Sequence, residues 1–252
     1  MKCIILAAGY ATRLYPLTKD LPKPLLPVAG KPILDRIMED LEGFEAPMEY
    51  LVVTNHRFIK PFEAWRDSHK LASAIRLLDD GSTENDNRLG AVRDMAFAIR
   101  QAGVDEEVFV AAGDNLTDFS LTGFLTYARQ KGTSCVMRYY EGEEDRLHRT
   151  GVITLGEGDL VTSMEEKPAK PKSHWCVPPF YYYQREDVKR IPEAVDTGVC
   201  GVDAPGEFLS WLCTVSPVHA WEMPGRRYDI GTLEGYRKVE EIWTASGMAG
   251  RF

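Results

Sequence analysis

Positive charge is in short supply. Thirty lysines and arginines stand against 38 aspartates and glutamates, a formal net charge of -8. Such a chain has no global basic field, so a nucleic-acid partner is not expected and any bound anion must be held locally. Cysteine is sparse as well: Cys3, Cys135, Cys176, Cys200 and Cys213, an odd number with no CxxC spacing. That argues against a disulfide framework and for reduced thiols. His174 and Cys176 are the only close His/Cys pair, too little for the usual zinc spacings. Long apolar runs are missing. None approaches the ~20 residues of a membrane span, and "KCIILAAG" is too short an apolar core for a secretory leader. These absences point to a cytoplasmic protein with no membrane partner. Internal repeats and a clear interdomain linker are also missing.

What remains is the composition of a folded chain. It has 252 residues, 44% of them hydrophobic, enough for one large domain with a substantial core. "KCIILA" (Lys2–Ala7) reads as a strand buried on both faces. Pro32 then opens a helix in which Ile33, Leu34, Ile37, Met38 and Leu41 share one face. "EYLVVTN" (Glu49–Asn55) reads as a second strand, "FIKPFEAWRDSHKLA" (Phe58–Ala72) as a helix and "AIRLLDD" (Ala74–Asp80) as a third strand. A helix starts at about Gly90, and "EVFVAAGDN" (Glu107–Asn115) is a fourth strand ending in a polar loop. Alternation at this spacing predicts a parallel α/β sheet with right-handed crossovers. Ligands of such sheets sit beyond the carboxyl ends of the strands, where the loops after strands one, three and four would share a rim.

After Thr133 the texture changes. "TSCVMRYY", "TGVITL", "LVTSMEE" and "WCVPPFYYY" are short strand-like runs broken by Gly, Asp and Pro, which predicts a mixed or antiparallel portion. Late helices are expected near Glu186–Val195, near Gly206–Leu212 and from Leu233 to about Thr244.

The stretch Leu6–Pro32, "LAAGYATRLYPLTKDLPKPLLPVAGKP", places a bare turn and four cations (Arg13, Lys19, Lys23, Lys31) among five prolines. It is not a P-loop: Gly30 and Lys31 fit, but Leu25 stands at the first glycine and Pro32 at the hydroxyl residue. Nor is it the G-x-G-x-x-G fingerprint, since Ala11 and Leu14 occupy the second and third glycines. A turn of small residues still lets backbone N–H groups approach a polyphosphate, with Arg13 and Lys23 to neutralise it. The plain alternative is a proline-rich loop with solvated cations.

Order decides between these. "LAAGYATRLYPLT", "PKPLLPV" and "GKP" resemble the signature of the sugar-1-phosphate nucleotidyltransferases, with Ala11 in place of the second glycine. Later family motifs follow in sequence: "AAGDN" (Ala111–Asn115), "TGVI" (Thr150–Ile153), "EEKP" (Glu165–Pro168) and "YDIGT" (Tyr228–Thr232). The matches run from residue 3 to about residue 236. Taken singly, each has a bland reading: Gly-Asp-Asn is common turn chemistry, and "EEKPAKPK" suits a solvated charged linker.

The resemblance implies a Rossmann-like three-layer α/β sandwich. Its central sheet would be mostly parallel, with a smaller mixed or antiparallel sugar-binding portion. It implies one nucleotidyltransferase domain over 1–252, with about 1–132 serving the nucleotide and about 133–252 the sugar phosphate. The implied reaction moves a nucleoside monophosphate from an NTP to a sugar 1-phosphate and releases pyrophosphate, with Mg²⁺ as cofactor. Catalytic roles fall to Arg13, Lys23 and Asp114. Nucleotide contacts fall to Leu6, Ala8, Gly9, Tyr10, Ala11, Thr12, Arg13, Asn85 and Gly90. Sugar-phosphate contacts fall to Gly151, Glu166 and Lys167, and metal ligation to Asp114 and Asp229. The partners implied are an NTP and a sugar 1-phosphate, and a homo-oligomer is compatible with the family.

Two departures concern substrate identity. "DDGSTENDNRLGAVRD" does not match the Gln/Pro-rich base loop of the thymidylyl and uridylyl enzymes. There Asn85, Asn87 and Arg88 either read base edges or brace the loop before Gly90. "CVPPFYYY" lacks the glycine that often precedes the aromatic strand at the sugar site. Two rival readings therefore stand: a cytidylyltransferase acting on phosphocholine or another phosphorylated alcohol, with Phe180–Tyr183 as its motive, and a non-catalytic nucleotide-sensing subunit.

Overall fold

The first apolar run folds as read: Lys2–Leu6 is a strand (β1) whose Cys3, Ile4 and Ile5 are fully buried. The computed structural model describes residues 1–44, 48–69 and 73–245. A small hairpin follows, β2 (Pro27–Val28) and β3 (Lys31–Pro32), and leads into helix α1 (Ile33–Glu42). Then come β4 (Glu49–Thr54), α2 (Ile59–Ser68), β5 (Ala74–Asp79), α3 (Ala91–Ala102) and β6 (Val108–Ala112). β7 (Asn115–Thr117), α4 (Thr122–Lys131), β8 (Ser134–Tyr140) and the single turn α5 (Glu144–Leu147) come next. Four strands follow: β9 (Gly151–Leu155), β10 (Val161–Glu166), β11 (Trp175–Val177) and β12 (Phe180–Tyr183). The chain continues with α6 (Arg185–Thr197), α7 (Pro205–Leu212), β13 (Val218–Glu222), β14 (Arg227–Asp229) and α8 (Leu233–Ala245). Among the described residues no helix is long and apolar enough to cross a membrane.

The expected mixed α/β architecture is present, with several local differences. Pro32 does lead into α1, standing at its N-cap, but it also closes a strand: Lys31 and Pro32 pair with Val28 and Pro27. The fourth strand stops at Ala112, and Asn115 opens a separate strand that pairs with β14. "WCVPPFYYY" is two strands, because Pro178 and Pro179 lack the N–H a ladder needs. The helix read over Phe58–Ala72 ends at Ser68, with residues 70–72 outside the described ones. Helix α4 has no counterpart in the sequence reading.

The chain divides into two compact units, each built from three stretches. The signature unit holds Ile5–Arg88, Ala112–Thr122 and the chain from Gly225 onward. In it β4 and β5 run parallel, in register from Glu49↔Ala74 to Thr54↔Asp79. The end of β1 lies beside β4, Ala7 N donating to Val53 O at 2.9 Å, and Leu6 O accepts from Gly113 N at 3.0 Å. Helix α1 covers this layer with the face the periodicity picked out, Ile33, Leu34, Ile37, Met38 and Leu41, all buried.

The other unit holds Met1–Ile4, Leu89–Ala111 and Gly123–Pro224. Its strands lie in the order β10-β9-β11-β8-β12-β6, with β13 parallel to β8. The β10–β9, β9–β11, β11–β8, β8–β12 and β12–β6 pairs are antiparallel. Phe109 stacks on Phe180 with ring centroids 6.3 Å apart, and Tyr182, Tyr183 and Phe208 complete a core of large rings.

Candidate active site

In the signature unit the chain leaves β1 through Ala7, Ala8 and Gly9. Asn55, fully buried just past β4, donates from Nδ2 to Ala8 O at 2.9 Å and accepts Phe58 N at Oδ1. One side chain thus pins the turn to the neighbouring strand end. Ala11 sits in the left-handed region at φ 45°, ψ 40°. Ala11 therefore carries the left-handed conformation that glycine adopts freely, at a cost of about 1 kcal/mol for a non-glycine residue. Ala11 O is held by Thr18 Oγ1 at 2.8 Å and Leu14 N at 3.0 Å. The 3-10 turn Thr12–Leu14 presents Arg13 outward, exposed and, among the described residues, with no hydrogen-bond or ion-pair partner. Tyr10 is buried and its OH donates to Ser82 Oγ at 3.3 Å, tying the turn to the loop after β5.

Lys23 lies in a second 3-10 turn, Lys23–Leu25, entered through Pro22. Of the four cations in the stretch it is the buried one, while Lys31 is taken by Glu39. Its Nζ donates to Asp114 Oδ2 at 2.6 Å and to Asp229 Oδ1 at 3.1 Å. Burial works against the lysine's charge, but Asp114 and then Asp229 outweigh it and hold the pKa above the usual lysine value. Burial likewise pushes Asp114 up, yet Lys23, with Asn115 and Arg227, holds it below the ordinary carboxylate range. A cavity of about 320 Å³ opens here, lined by Gly9, Ala11, Arg13, Lys23, Asp114 and Asp229 among others. A Cβ added at Gly9 would meet nothing within 4 Å, so the missing side chain leaves room at the turn.

Two carboxylates that converge on one ammonium offer hard oxygen ligands to a dication. Among the described residues no group of three or more His, Cys, Asp or Glu could hold a metal. Two carboxylates are a donor set compatible with Mg²⁺, which binds through one or two of them and takes the rest from phosphate and water.

The other unit gathers the second set. Gly151 opens β9 and pairs with Glu166 at the end of β10. A Cβ at Gly151 would stand 3.1 Å from Glu166 Oε2, and one at Gly206 only 2.1 Å from it. The carboxylate is wedged against two bare Cα positions. Among the described residues it has no hydrogen-bond partner, whereas the neighbouring Glu165 is taken by Lys172. Burial pushes Glu166 up, Lys167 opposes, and Glu207 and Asp203 push it up further. Lys167 is exposed, at φ 48°, and its backbone N–H donates to Thr150 O at 3.0 Å. A cavity of about 410 Å³ adjoins Glu166, with Cys200, Glu207 and Trp211 in its wall.

The base loop divides its candidates. Asn87 Oδ1 accepts Thr83 N and Glu84 N, both at 3.0 Å, so Asn87 braces the loop. Asn85 is exposed in the turn Asn85–Asn87, with Arg88 Nη1 at 3.4 Å from its Oδ1. Gly90 caps α3 at φ 93°, and a Cβ there would lie 2.5 Å from Val202 O. The Val202 and Asp203 backbone and the positive φ together require its bareness. Three residues escaped the sequence reading: Asn55, Asn115 and Arg227. Asn55 and Asn115 carried a signal, a polar residue closing an apolar strand at the ligand end; Arg227 carried none.

A bare turn, an unpaired guanidinium and a lysine shared by two carboxylates suit a phosphorylated anion with its metal. Comparison with known proteins names the class. The chain belongs to the nucleotidyl transferase family, whose pattern it matches over residues 2–246. It is 33% identical over 199 residues to a glucose-1-phosphate thymidylyltransferase of Neisseria meningitidis, covering 75% of this chain and 63% of that one. With a UTP–glucose-1-phosphate uridylyltransferase of Synechocystis sp. it shares 26% identity over 254 residues, 97% of this chain and 62% of the relative. The chain thus spans just under two thirds of the length of these relatives. An apo UDP-glucose pyrophosphorylase matches its fold with a TM-score of 0.81 at 20% identity, over 98% of both chains.

Proposed function

We propose that the protein transfers a nucleoside monophosphate from an NTP to a sugar 1-phosphate, giving an NDP-sugar and pyrophosphate. The observation that carries this reading is the convergence of Lys23, Asp114 and Asp229 at the signature turn beside an unpartnered Arg13. The acceptor phosphate is already an anion, so no protein nucleophile or strong base is needed. Its oxygen bonds to the α-phosphorus as the bond to the β-phosphate oxygen breaks. The protein's work is to align two anions and offset their repulsion.

In this reading Arg13 holds the departing β- and γ-phosphates and Lys23 the α-phosphate. The turn Leu6, Ala8, Gly9, Tyr10, Ala11 and Thr12 carries the triphosphate and nucleoside, with Asn85 and Gly90 assigned to the base. Glu166 and the Gly151 backbone orient sugar hydroxyls, and Lys167 holds the sugar phosphate. Asp114 and Asp229 would hold Mg²⁺, which when bound supplies further neutralisation of phosphoryl charge. We read 1–252 as one nucleotidyltransferase domain, with nucleotide roles in about 1–132 and sugar roles in about 133–252. We read the setting as reducing and cytoplasmic, in keeping with the lack of a disulfide among the described residues. The phosphocholine rival loses its motive, because Phe180, Tyr181, Tyr182 and Tyr183 are all buried as strand core.

The test is a matrix of NTPs against sugar 1-phosphates and phosphocholine, read by pyrophosphate release with Mg²⁺. Turnover is expected with a sugar 1-phosphate and not with phosphocholine. Asp114→Asn should keep the fold and lower turnover about 100- to 1,000-fold. Wild-type rates in that variant would refute the site assignment.

A further inference from the structure

Arg227 stands in none of the roles above, yet it lies beside both carboxylates. Its Nη1 donates to Asn115 Oδ1 at 2.7 Å. Asn115 Nδ2 in turn donates to Asp114 Oδ1 at 2.6 Å. Asn115 is buried, 3% exposed, so its amide is held by these two contacts and by the β7–β14 pairing. The relay uses one oxygen of Asp114 and leaves the other, Oδ2, turned to the cation that Lys23 now supplies. Arg227 and Asp229 share the short strand β14, which sets Asp229 opposite Asn115.

We propose that Arg227 is a positioning residue: acting through Asn115, it fixes the Asp114 carboxylate so that Oδ2 faces the metal position. The proposal rests on the reading of Asp114 and Asp229 as metal ligands. Partners that orient a ligating carboxylate matter nearly as much as the ligand itself.

Sign separates this role from a simpler one. Arg227 Nη1 is 4.0 Å from Asp229 Oδ2, so its charge opposes a dication at the pair. If charge were its whole effect, Arg227→Met would tighten metal binding. If it positions Asp114, Arg227→Met weakens binding although a repelling charge has gone.

The experiment measures Mn²⁺ affinity by electron paramagnetic resonance, with and without a non-hydrolysable NTP analogue. The proteins are wild type, Arg227→Met, Arg227→Lys, Asn115→Leu, the Met/Leu double variant and Asp114→Asn. Arg227→Met is expected to lose about ten-fold or more in affinity. Arg227→Lys, which retains a donor and the charge, should recover part of the loss. The double variant should bind no more weakly than Asn115→Leu, since the arginine acts through that amide. Unchanged or tighter binding in Arg227→Met overturns the proposal, as do losses that multiply in the double variant. Should Asn115→Leu fail to fold, the arginine pair alone decides. Normal Mn²⁺ binding by Asp114→Asn overturns the metal-site reading itself, a separate outcome.

Discussion

Replacing Lys23 by methionine keeps most of the side chain's bulk and removes the cation that two carboxylates share. In a fully buried pair, losing one partner costs about 3–5 kcal/mol. Here the lysine is 9% exposed, Asp114 33% and Asp229 51%, so water reaches the orphaned acids. Screening brings the expected loss down to about 1–2 kcal/mol. For a chain of this length that corresponds to a fall in Tm of roughly 3–6 °C. The pH dependence carries the signature. Asp114 is held below its unfolded pKa, so its contribution is present above about pH 4 and is lost as acid titrates it. Lys23 is held above its unfolded value, so its contribution is full below about pH 10 and is lost at higher pH. The Tm gap between wild type and Lys23→Met should therefore be widest from about pH 5 to 9 and shrink at both ends. Differential scanning calorimetry across that range reads it. A variant as stable as wild type at pH 7, or a gap that does not vary with pH, would refute the argument. Mg²⁺ should restore more stability to the variant than to wild type, because the vacated carboxylates accept it.

Glu166→Gln should raise Tm slightly at pH 7 while lowering affinity for the sugar phosphate about ten-fold or more, measured by calorimetry and titration. The sign follows from the raised pKa: the ionised carboxylate costs stability above that pKa, and protonation or amidation relieves it. Ala11→Gly should relieve the left-handed strain and, after the extra unfolded-state entropy of glycine, gain about 0.5 kcal/mol. A lower Tm in that variant would mean the alanine methyl packs usefully in the turn.

Much of the fold was legible because apolar runs and 3.6-residue spacing reflect burial directly. α1 lies where Ile33, Leu34, Ile37, Met38 and Leu41 placed it. α4 was not legible. Gly123, Thr122 and Thr126 dilute its helix propensity, and only Phe124, Leu125 and Ala128 are buried. The β2–β3 hairpin was not legible because Pro32 suits a helix entry, which it is, as well as the last residue of a hairpin. In the site, the charged residues were legible through an ordered motif pattern. Their couplings were not. The wedge at Glu166 depends on Gly206, 40 positions away by number, and the Arg227–Asn115 contact spans 112. No local periodicity encodes such distances.

Lys23, Asp114 and Asp229 come from the three separate stretches of the signature unit, the pairings spanning 91 and 206 positions. During synthesis on the ribosome the lysine has its first carboxylate only once β6 and the following turn have emerged. It has its second only once β14 has been made. A chain released before Gly225 would leave the lysine with a single carboxylate partner and lack one of the proposed metal carboxylates. The proposed pair of metal carboxylates is therefore complete only once β14 has been made, 206 positions after the lysine.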